Sequence, residues 1–236
     1  MGFHCHIGSQ IFDEGAFYEA IESMTSFTKE INDKLSIDIS EINLGGGFGV
    51  RYTDEDTEIN YQVFMKKLIK HLEKNILEKK LNIKTVTIEP GRVIVAQGGS
   101  TLYTIGGIKE TYGGVKYIFV DGGMTDNIRT ALYQAKYEAC IANRLNYLEK
   151  EIVTIAGKCC ESGDIIAKDI ELVRGEIEDL VLVNCTGAYG HSMSSNYNKA
   201  LRPPVVFVKN KNSYLISKRE DYKALIKDDE KLPEKF

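Results

Sequence analysis

The sequence predicts an α/β domain followed by a mostly antiparallel β domain. The first part of the 236-residue chain alternates β-branched runs with amphipathic stretches, a pattern typical of βαβ units and a parallel sheet. The remainder consists mainly of β-branched and aromatic runs separated by glycine and asparagine turns. Because the pattern changes between residues 97 and 100, we predict one domain over residues 1–98 and a second over residues 99–236.

Each element of the first domain follows from local residue spacing. Residues 2–7 are a short apolar run, and residues 14–34 repeat apolar side chains at intervals of three and four, which predicts a strand and then a helix. The β-branched run at 37–49 predicts the second strand. The helical spacing at 60–80 predicts the second helix, and residues 83–95 predict the third strand.

Four β-branched or aromatic runs predict strands of the second domain, at residues 100–110, 115–123, 179–185 and 204–210. Only residues 125–148 and the last 20 residues have helical spacing. The lysine-rich end of the chain is predicted to be a solvated tail.

Composition disfavours several classes of protein. With 30 Lys and Arg against 34 Asp and Glu, the net charge is −4, which disfavours a nucleic-acid partner. No run approaches the roughly 18 apolar residues that cross a bilayer, so we expect no membrane partner. Met1 leads directly into an apolar strand, and we expect an unexported, cytoplasmic protein whose start was cut from something longer. The odd number of cysteines, five, fits reduced thiols.

Polar or glycine-rich segments follow each predicted strand of the first domain, where α/β proteins bind their ligands. The triplet of Gly45, Gly46 and Gly47 suits either an anion cradle or a tight turn. Ser9 offers either a hydroxyl donor to such an anion or a cap for the following helix.

The segment EPGR and the histidines supply further candidates in this domain. Glu89 can pair with Arg92 or face a ring nitrogen, and the planar fork of Arg92 suits a phosphate or a carboxylate. His4 and His6 share one face of a strand, where they fit core packing or a metal site without further ligands nearby. His71 occupies an apolar helix position and is predicted to pack.

Three polar segments stand out in the second domain. The loop GKCCESGD places Cys160 beside Glu161, which favours a proton donor over a nucleophile, with a buried small residue as the alternative. Arg129 and Tyr133 are four residues apart and share a face if the segment is helical. The segment TGAYGHSMSSNYN is too rich in small polar residues for a hidden core.

Six segments in order resemble the fold-type III pyridoxal-phosphate amino-acid decarboxylases. They are GFHCHIGSQI, NLGGGFGV, EPGR, DGGMTDNIRTALY, GKCCESGD and GAYGHSMSSNYN. The resemblance implies the C-terminal part of an alanine racemase-like (β/α)8 TIM barrel that binds pyridoxal 5′-phosphate, followed by a β-sandwich or barrel-like domain. It also implies a small-molecule amino-acid substrate and a homodimer with shared active sites.

The activity that the resemblance implies is that of a carboxy-lyase. The leading hypothesis is decarboxylation of meso-2,6-diaminopimelate to L-lysine and CO2, the last step of lysine biosynthesis. A related arginine, ornithine or carboxynorspermidine decarboxylase is one alternative, and a non-catalytic fragment is another. The pair Arg129 and Tyr133, together with Glu161, favours the first hypothesis, because a substrate with a distal carboxylate needs a cation there.

The resemblance also implies roles for individual residues. His6 is expected to stack on the cofactor ring as a catalytic residue, and Glu89 to pair with the pyridine nitrogen. The expected phosphate ligands are Ser9, Gly45, Gly46, Gly47, Gly91, Arg92 and Tyr189. The expected substrate-binding residues are Arg92, Arg129, Tyr133, Glu161 and Tyr189. Cys160 is expected to donate a proton to the carbanion carbon in the partner's site, and no metal is expected.

One departure from the family pattern is large. The family's Schiff-base lysine lies upstream of the histidine motif, and only about 97 residues precede the β domain. A complete barrel needs roughly 250 residues. We therefore expect this chain alone to be inactive unless a separate chain supplies the missing part of the barrel. Cys159, directly before the expected proton donor, is expected to be silent.

Overall fold

The computed structural model describes residues 1–232 of the chain. They divide into two compact units, one formed by Met1–Gly98 and one that begins at Gly99. Among the described residues, no helix has both the length and the apolar composition that a bilayer crossing requires.

The first unit has the predicted order of strands and helices. Its elements are β1 (Gly2–His4), α1 (Glu14–Leu35), β2 (Glu41–Asn43), α2 (Tyr61–Glu78), β3 (Thr85–Thr87) and α3 (Arg92–Val95). The three strands pair in parallel in the order β1-β2-β3, which confirms the predicted βαβαβ pattern. Each strand is only three residues long, so the polar segments that follow the strands begin early.

Side-chain caps mark where the two long helices begin. The carboxylate of Asp13 accepts the backbone N–H of Gly15 at the start of α1, and the side chain of Asn60 accepts that of Val63 at the start of α2. Helix α1 ends at Ser36, which adopts a left-handed φ of 51°.

An aromatic cluster joins the two helices to the sheet. Phe17 of α1 stacks on Phe48 with ring centroids 5.1 Å apart and meets Phe64 of α2 edge to face at 5.6 Å. Ile42 of the central strand β2 is completely buried in the same cluster. The helices therefore cover the face of the sheet to which Ile42 points.

The opposite face of this sheet carries polar side chains. The parallel register places His4 beside Asn43, and Asn43 beside Thr87. Because successive residues of a strand point to opposite faces, this row lies on the side away from Ile42. His4 is exposed, and Asn43 and Thr87 are half-buried.

The second unit is built mainly of strands, as predicted. Its elements are β4 (Thr101–Glu110), β5 (Lys116–Val120), α4 (Arg129–Tyr133), β6 (Ala139–Ile141), β7 (Lys150–Ala156), β8 (Ile165–Val173), β9 (Leu180–Val183), α5 (Gly190–Met193), a 3₁₀ turn (Tyr197–Lys199), β10 (Val205–Lys209), β11 (Asn212–Ser217) and α6 (Tyr222–Leu225). Six strands form one sheet in the order β6-β9-β4-β5-β7-β8, with only the β5–β7 pair parallel. Its two edge strands, β6 and β8, lie against each other, so the sheet is nearly a closed barrel.

The helix predicted over residues 125–148 is wrong for most of its length. Helix α4 covers five residues and stops at Gln134, whose φ is 52°. Strand β6 follows because Ile141 is buried in the sheet core and pairs with Val181 of β9. Burial in the sheet therefore overrides the helical spacing of this segment.

The prediction of a helix over the last 20 residues is also wrong where the structure describes the chain. Strand β11 continues to Ser217, and only the single turn α6 is helical. Residues 233–236, which were included in the predicted helix and tail, lie outside the described residues.

We predict that Phe17→Ala lowers the free energy of unfolding of the first unit by about 3–5 kcal/mol, because it removes a ring from the aromatic cluster and leaves a cavity. Leu77→Ala is the matched control, since Leu77 is a solvent-exposed residue of α2, and it should change stability by less than about 0.5 kcal/mol. Urea denaturation followed by circular dichroism measures both. Equal losses for the two variants would contradict this description of the core.

Candidate functional site

The glycine triplet of the first unit lies where three segments of backbone converge. A Cβ atom on Gly45 would overlap the carbonyl oxygen of Cys5, and one on Gly46 would overlap that of Glu89. A Cβ atom on Gly47 would overlap the carbonyl oxygen of Gly8. Gly45 and Gly47 also have positive φ values of 67° and 91°. The triplet is therefore needed for close packing of the strand ends, whether or not it also binds an anion.

Arg92 lies at the start of α3 and joins two other segments of the first unit. Its guanidinium donates to the hydroxyl of Ser9 at 3.1 Å and to that of Tyr52 at 2.7 Å. The guanidinium carbon also lies 5.7 Å from the centre of the Tyr52 ring. A hydroxyl and a planar guanidinium side by side are a donor set suited to a phosphate or carboxylate.

Glu89 lies two residues beyond β3 and is contacted by side chains of the other two strands of the sheet. Its Oε1 accepts the amide of Asn43 at 2.7 Å, and its Oε2 lies 3.4 Å from Nε2 of His4. About half of the carboxylate side chain remains exposed, at 53%. The sequence left two roles for Glu89, pairing with Arg92 or facing a ring nitrogen. The contacts of Glu89 are compatible with the second role, and Arg92 donates to Ser9 and Tyr52.

His6 is exposed, and one of its ring nitrogens is fixed by the backbone. Nδ1 accepts the N–H of Gly46 at 3.3 Å, which leaves Nε2 as the protonated nitrogen of the neutral ring. Among residues 1–232, no group of three or more His, Cys, Asp or Glu side chains could hold a metal ion. His71 stacks on Tyr18 with ring centroids 4.4 Å apart, which agrees with its predicted packing role.

Arg129 is the buried cation of the second unit. Only 8% of the residue is exposed, and its Nε donates to the hydroxyl of Tyr137 at 3.1 Å. Its guanidinium carbon lies 5.3 Å from the centre of the Tyr133 ring and 5.0 Å from that of Tyr189. Both rings are partly exposed, so Arg129 is an oriented cation between two accessible phenols.

The backbone of Tyr189 is strained. Its φ of 68° and ψ of −33° are unusual for a residue with a side chain. The surrounding structure therefore maintains this backbone conformation at a cost of roughly 1–3 kcal/mol.

The two cysteines of the GKCCESGD loop differ in exposure. Cys160 is exposed, which disfavours the alternative of a buried small residue, and Glu161 beside it accepts the hydroxyl of Tyr197 at 3.0 Å. This hydrogen bond to a carboxylate raises the pKa of Tyr197. Cys159 is half-buried, and burial, followed by the charge of Asp164, raises the pKa of its thiol.

Sequence reasoning missed several residues that position these groups. They are Asn43, Tyr52, Tyr137, Asp164 and Tyr197. Asn43 is the first residue of the segment NLGGGFGV, and Asp164 is the last residue of GKCCESGD. Tyr52 and Tyr137 have no local signal, because only the fold brings them to an arginine.

A parallel sheet with glycine, hydroxyl and arginine donors after its strands is typical of α/β proteins that bind a phosphorylated ligand. Two family models of the pyridoxal-dependent decarboxylases match this chain. The pyridoxal binding domain matches residues 1–96, and the C-terminal sheet domain matches residues 51–187. The chain belongs to the pyridoxal-dependent decarboxylases.

Its curated relatives carry a more specific name. The chain is 48% identical to a diaminopimelate decarboxylase of Bacillus subtilis over 97% of its own length and 52% of the relative's length. It is 42% identical to the diaminopimelate decarboxylase of Staphylococcus aureus over 98% of its own length and 54% of the relative's length. The chain thus spans about half the length of the curated relatives it matches.

Solved structures agree with this similarity. Diaminopimelate decarboxylase from m. jannaschii in complex with L-lysine matches 98% of this chain and 51% of that protein, at 36% identity and a TM-score of 0.88. Diaminopimelate decarboxylase from Helicobacter pylori in complex with L-lysine matches 95% of this chain and 53% of that protein, at 30% identity and a TM-score of 0.82. These matches confirm the predicted fold class, part of a fold-type III barrel followed by a β domain.

Pyridoxal phosphate is the cofactor of this family, and the residues of the first unit fit it. The hydroxyl of Ser9 and the guanidinium of Arg92 are suited to donate to a phosphate ester, whereas the N–H groups of Gly45 and Gly46 already donate to Asn43 and His6. A Cβ atom on Gly91 would meet no atom within 4 Å, so the chain leaves open space beside this donor set. The exposed ring of His6 and carboxylate of Glu89 suit an aromatic, basic ring.

We predict opposite outcomes for two glycine substitutions in this site. Gly46→Ala should lower the free energy of unfolding by about 1–3 kcal/mol, because the new methyl group overlaps backbone. Gly91→Ala should change it by less than about 0.5 kcal/mol, because the new methyl group meets open space. Thermal and urea melts measure both. A destabilised Gly91→Ala variant, or an unaffected Gly46→Ala variant, would refute this packing.

Proposed function

We propose that this chain is part of an enzyme that decarboxylates meso-2,6-diaminopimelate to L-lysine and CO2. The observation that carries the proposal is the 48% identity, over 97% of the chain, to a protein named for this reaction. The buried Arg129 between two accessible tyrosine rings supports it, because a substrate with a distal carboxylate requires such a cation. Arginine and ornithine have no distal carboxylate.

The two units are proposed to be a partial cofactor-binding barrel, residues 1–98, and a C-terminal β domain, residues 99–236. In the first, Ser9, Gly91 and Arg92 hold the phosphate, and the triplet of Gly45, Gly46 and Gly47 borders it. His6 supports the face of the ring, oriented by the N–H of Gly46. When bound, pyridoxal phosphate supplies the electron sink that allows CO2 to leave. Glu89 would face the ring nitrogen and stabilise its positive charge.

The second unit is proposed to hold the far end of the substrate. Arg129 and Tyr133 bind the distal carboxylate, and Glu161 binds the distal amine. The phenol of Tyr197 donates to Glu161 at 3.0 Å and holds that carboxylate in place, and this hydrogen bond raises the pKa of the phenol. The exposed thiol of Cys160 delivers a proton to the carbon that has lost CO2. Tyr189 stacks on Arg129 and presents its hydroxyl to bound ligand.

We further infer a cytoplasmic homodimer in which one subunit supplies Cys160 to its partner's site. All five cysteines are free thiols, which supports a reducing compartment. The exposure of Cys160 and Glu161 on a loop supports a role beyond their own unit.

The reaction is tested by supplying pyridoxal phosphate and meso-diaminopimelate and measuring CO2 and L-lysine. Because the chain spans about half the length of its relatives, the complete gene product and this 236-residue chain are assayed in parallel. We expect the complete gene product to prefer diaminopimelate over ornithine and arginine by at least ~100-fold in kcat/KM. A preference for ornithine or arginine would refute the assignment.

Arg129→Lys should raise the KM for diaminopimelate about 10- to 100-fold, because lysine keeps the charge but loses the planar fork that binds a carboxylate at two points. Arg174→Lys is the matched control, since Arg174 is exposed and pairs with Glu149. Steady-state kinetics of the complete gene product measures both variants. An unchanged KM in a folded Arg129→Lys variant would show that Arg129 does not hold the distal carboxylate.

A further inference from the structure

The side-chain amide of Asn43 donates one hydrogen bond and accepts another. Its Nδ2 donates to Oε1 of Glu89 at 2.7 Å, and its Oδ1 accepts the backbone N–H of Gly45 at 2.9 Å. The amide therefore connects the carboxylate that follows β3 to the glycine triplet that follows β2.

The geometry of the sheet explains why this residue reaches both partners. Asn43 is the last residue of the central strand β2 and lies beside His4 of β1 in the register. The N–H of Glu89 donates to the carbonyl of Gly45 at 2.7 Å, so Glu89 and the triplet lie side by side. Nε2 of His4 lies 3.4 Å from the second carboxylate oxygen, so each oxygen of Glu89 has a side chain of the sheet beside it.

Among the common side chains of this size, only asparagine makes both bonds. Aspartate is nearly isosteric and would still accept from Gly45, but it would turn a second carboxylate toward Glu89. A hydrogen bond donated to a carboxylate fixes the position of the oxygen that accepts it.

We propose that Asn43 is a positioning residue that holds the Glu89 carboxylate in the orientation it needs to face the cofactor's ring nitrogen. This inference rests on the proposed function, since Glu89 matters there because it faces that nitrogen. Asn43 itself touches Glu89 and the backbone of Gly45, and it acts on the cofactor through Glu89.

The first test needs no cofactor. In the 236-residue chain, NMR follows the side-chain amide resonances of Asn43 in the parent and in Glu89→Gln. We expect Glu89→Gln to shift the Asn43 resonances and to leave those of Asn82 unchanged, because Asn82 donates to a different carboxylate, Asp38, at 2.6 Å. An Asn43 resonance that does not respond to Glu89→Gln would overturn the proposal.

The second test measures the affinity for pyridoxal phosphate by fluorescence or absorbance titration. Asn43→Asp should weaken binding about 10-fold, the effect of losing one hydrogen bond to a charged group. Asn82→Asp is the matched control, because it loses the same kind of bond and adds the same charge at a distant surface, and it should leave the affinity unchanged. Circular dichroism checks that both variants are folded.

A double-mutant cycle then separates positioning from an independent contact. If Asn43 acts through Glu89, adding Asn43→Asp to Glu89→Gln should weaken binding no further. If the two losses multiply, the proposal is wrong. If the parent chain does not bind pyridoxal phosphate, the cofactor role assigned to this chain fails, and the NMR comparison still decides whether Asn43 positions Glu89.

Discussion

The close approach of backbones at the glycine triplet is the constraint on which the first unit depends. Strands of three residues form few ladder hydrogen bonds, so much of the register is fixed beyond them. There, Gly45 and Gly46 pack directly on carbonyl groups of the neighbouring segments, where no side chain would fit. That contact brings His6 and Glu89, which belong to different segments, to opposite sides of the same glycines. A single packing requirement thus produces both the turn and the convergence of polar groups.

In the second unit, a buried carboxylate holds two loops together. Asp164 is 2% exposed and accepts the backbone N–H groups of Met124 and Cys159 at 2.6 and 2.7 Å. Gly123 and Gly157 leave the space that the carboxylate fills. Because a buried charge is tolerated only when it is well bonded, these contacts fix both loops. One loop leads to α4 and its arginine, and the other carries the exposed thiol.

Both units present a guanidinium group restrained by phenol rings. Arg92 lies over Tyr52 and bonds its hydroxyl, and Arg129 lies between two tyrosines and bonds a third, Tyr137. Aromatic faces restrain a guanidinium without neutralising it, unlike a carboxylate partner. Each guanidinium is therefore held in one orientation, and little rotamer freedom remains to be lost when an anion binds.

Sequence patterns determined the βαβαβ order, the change to a sheet-dominated second part and the motifs that carry the family resemblance. They did so because periodicity, turn residues and short motifs are local properties of the chain. They failed at residues 125–148, where burial of Ile141 in the sheet outweighed helical spacing. They also left open whether the glycines form a turn or a cradle and whether Glu89 pairs with Arg92. Only the tertiary structure decided the partners of these residues, because Asn43, Tyr52 and Tyr137 reach them through strand register and packing, which no local pattern records.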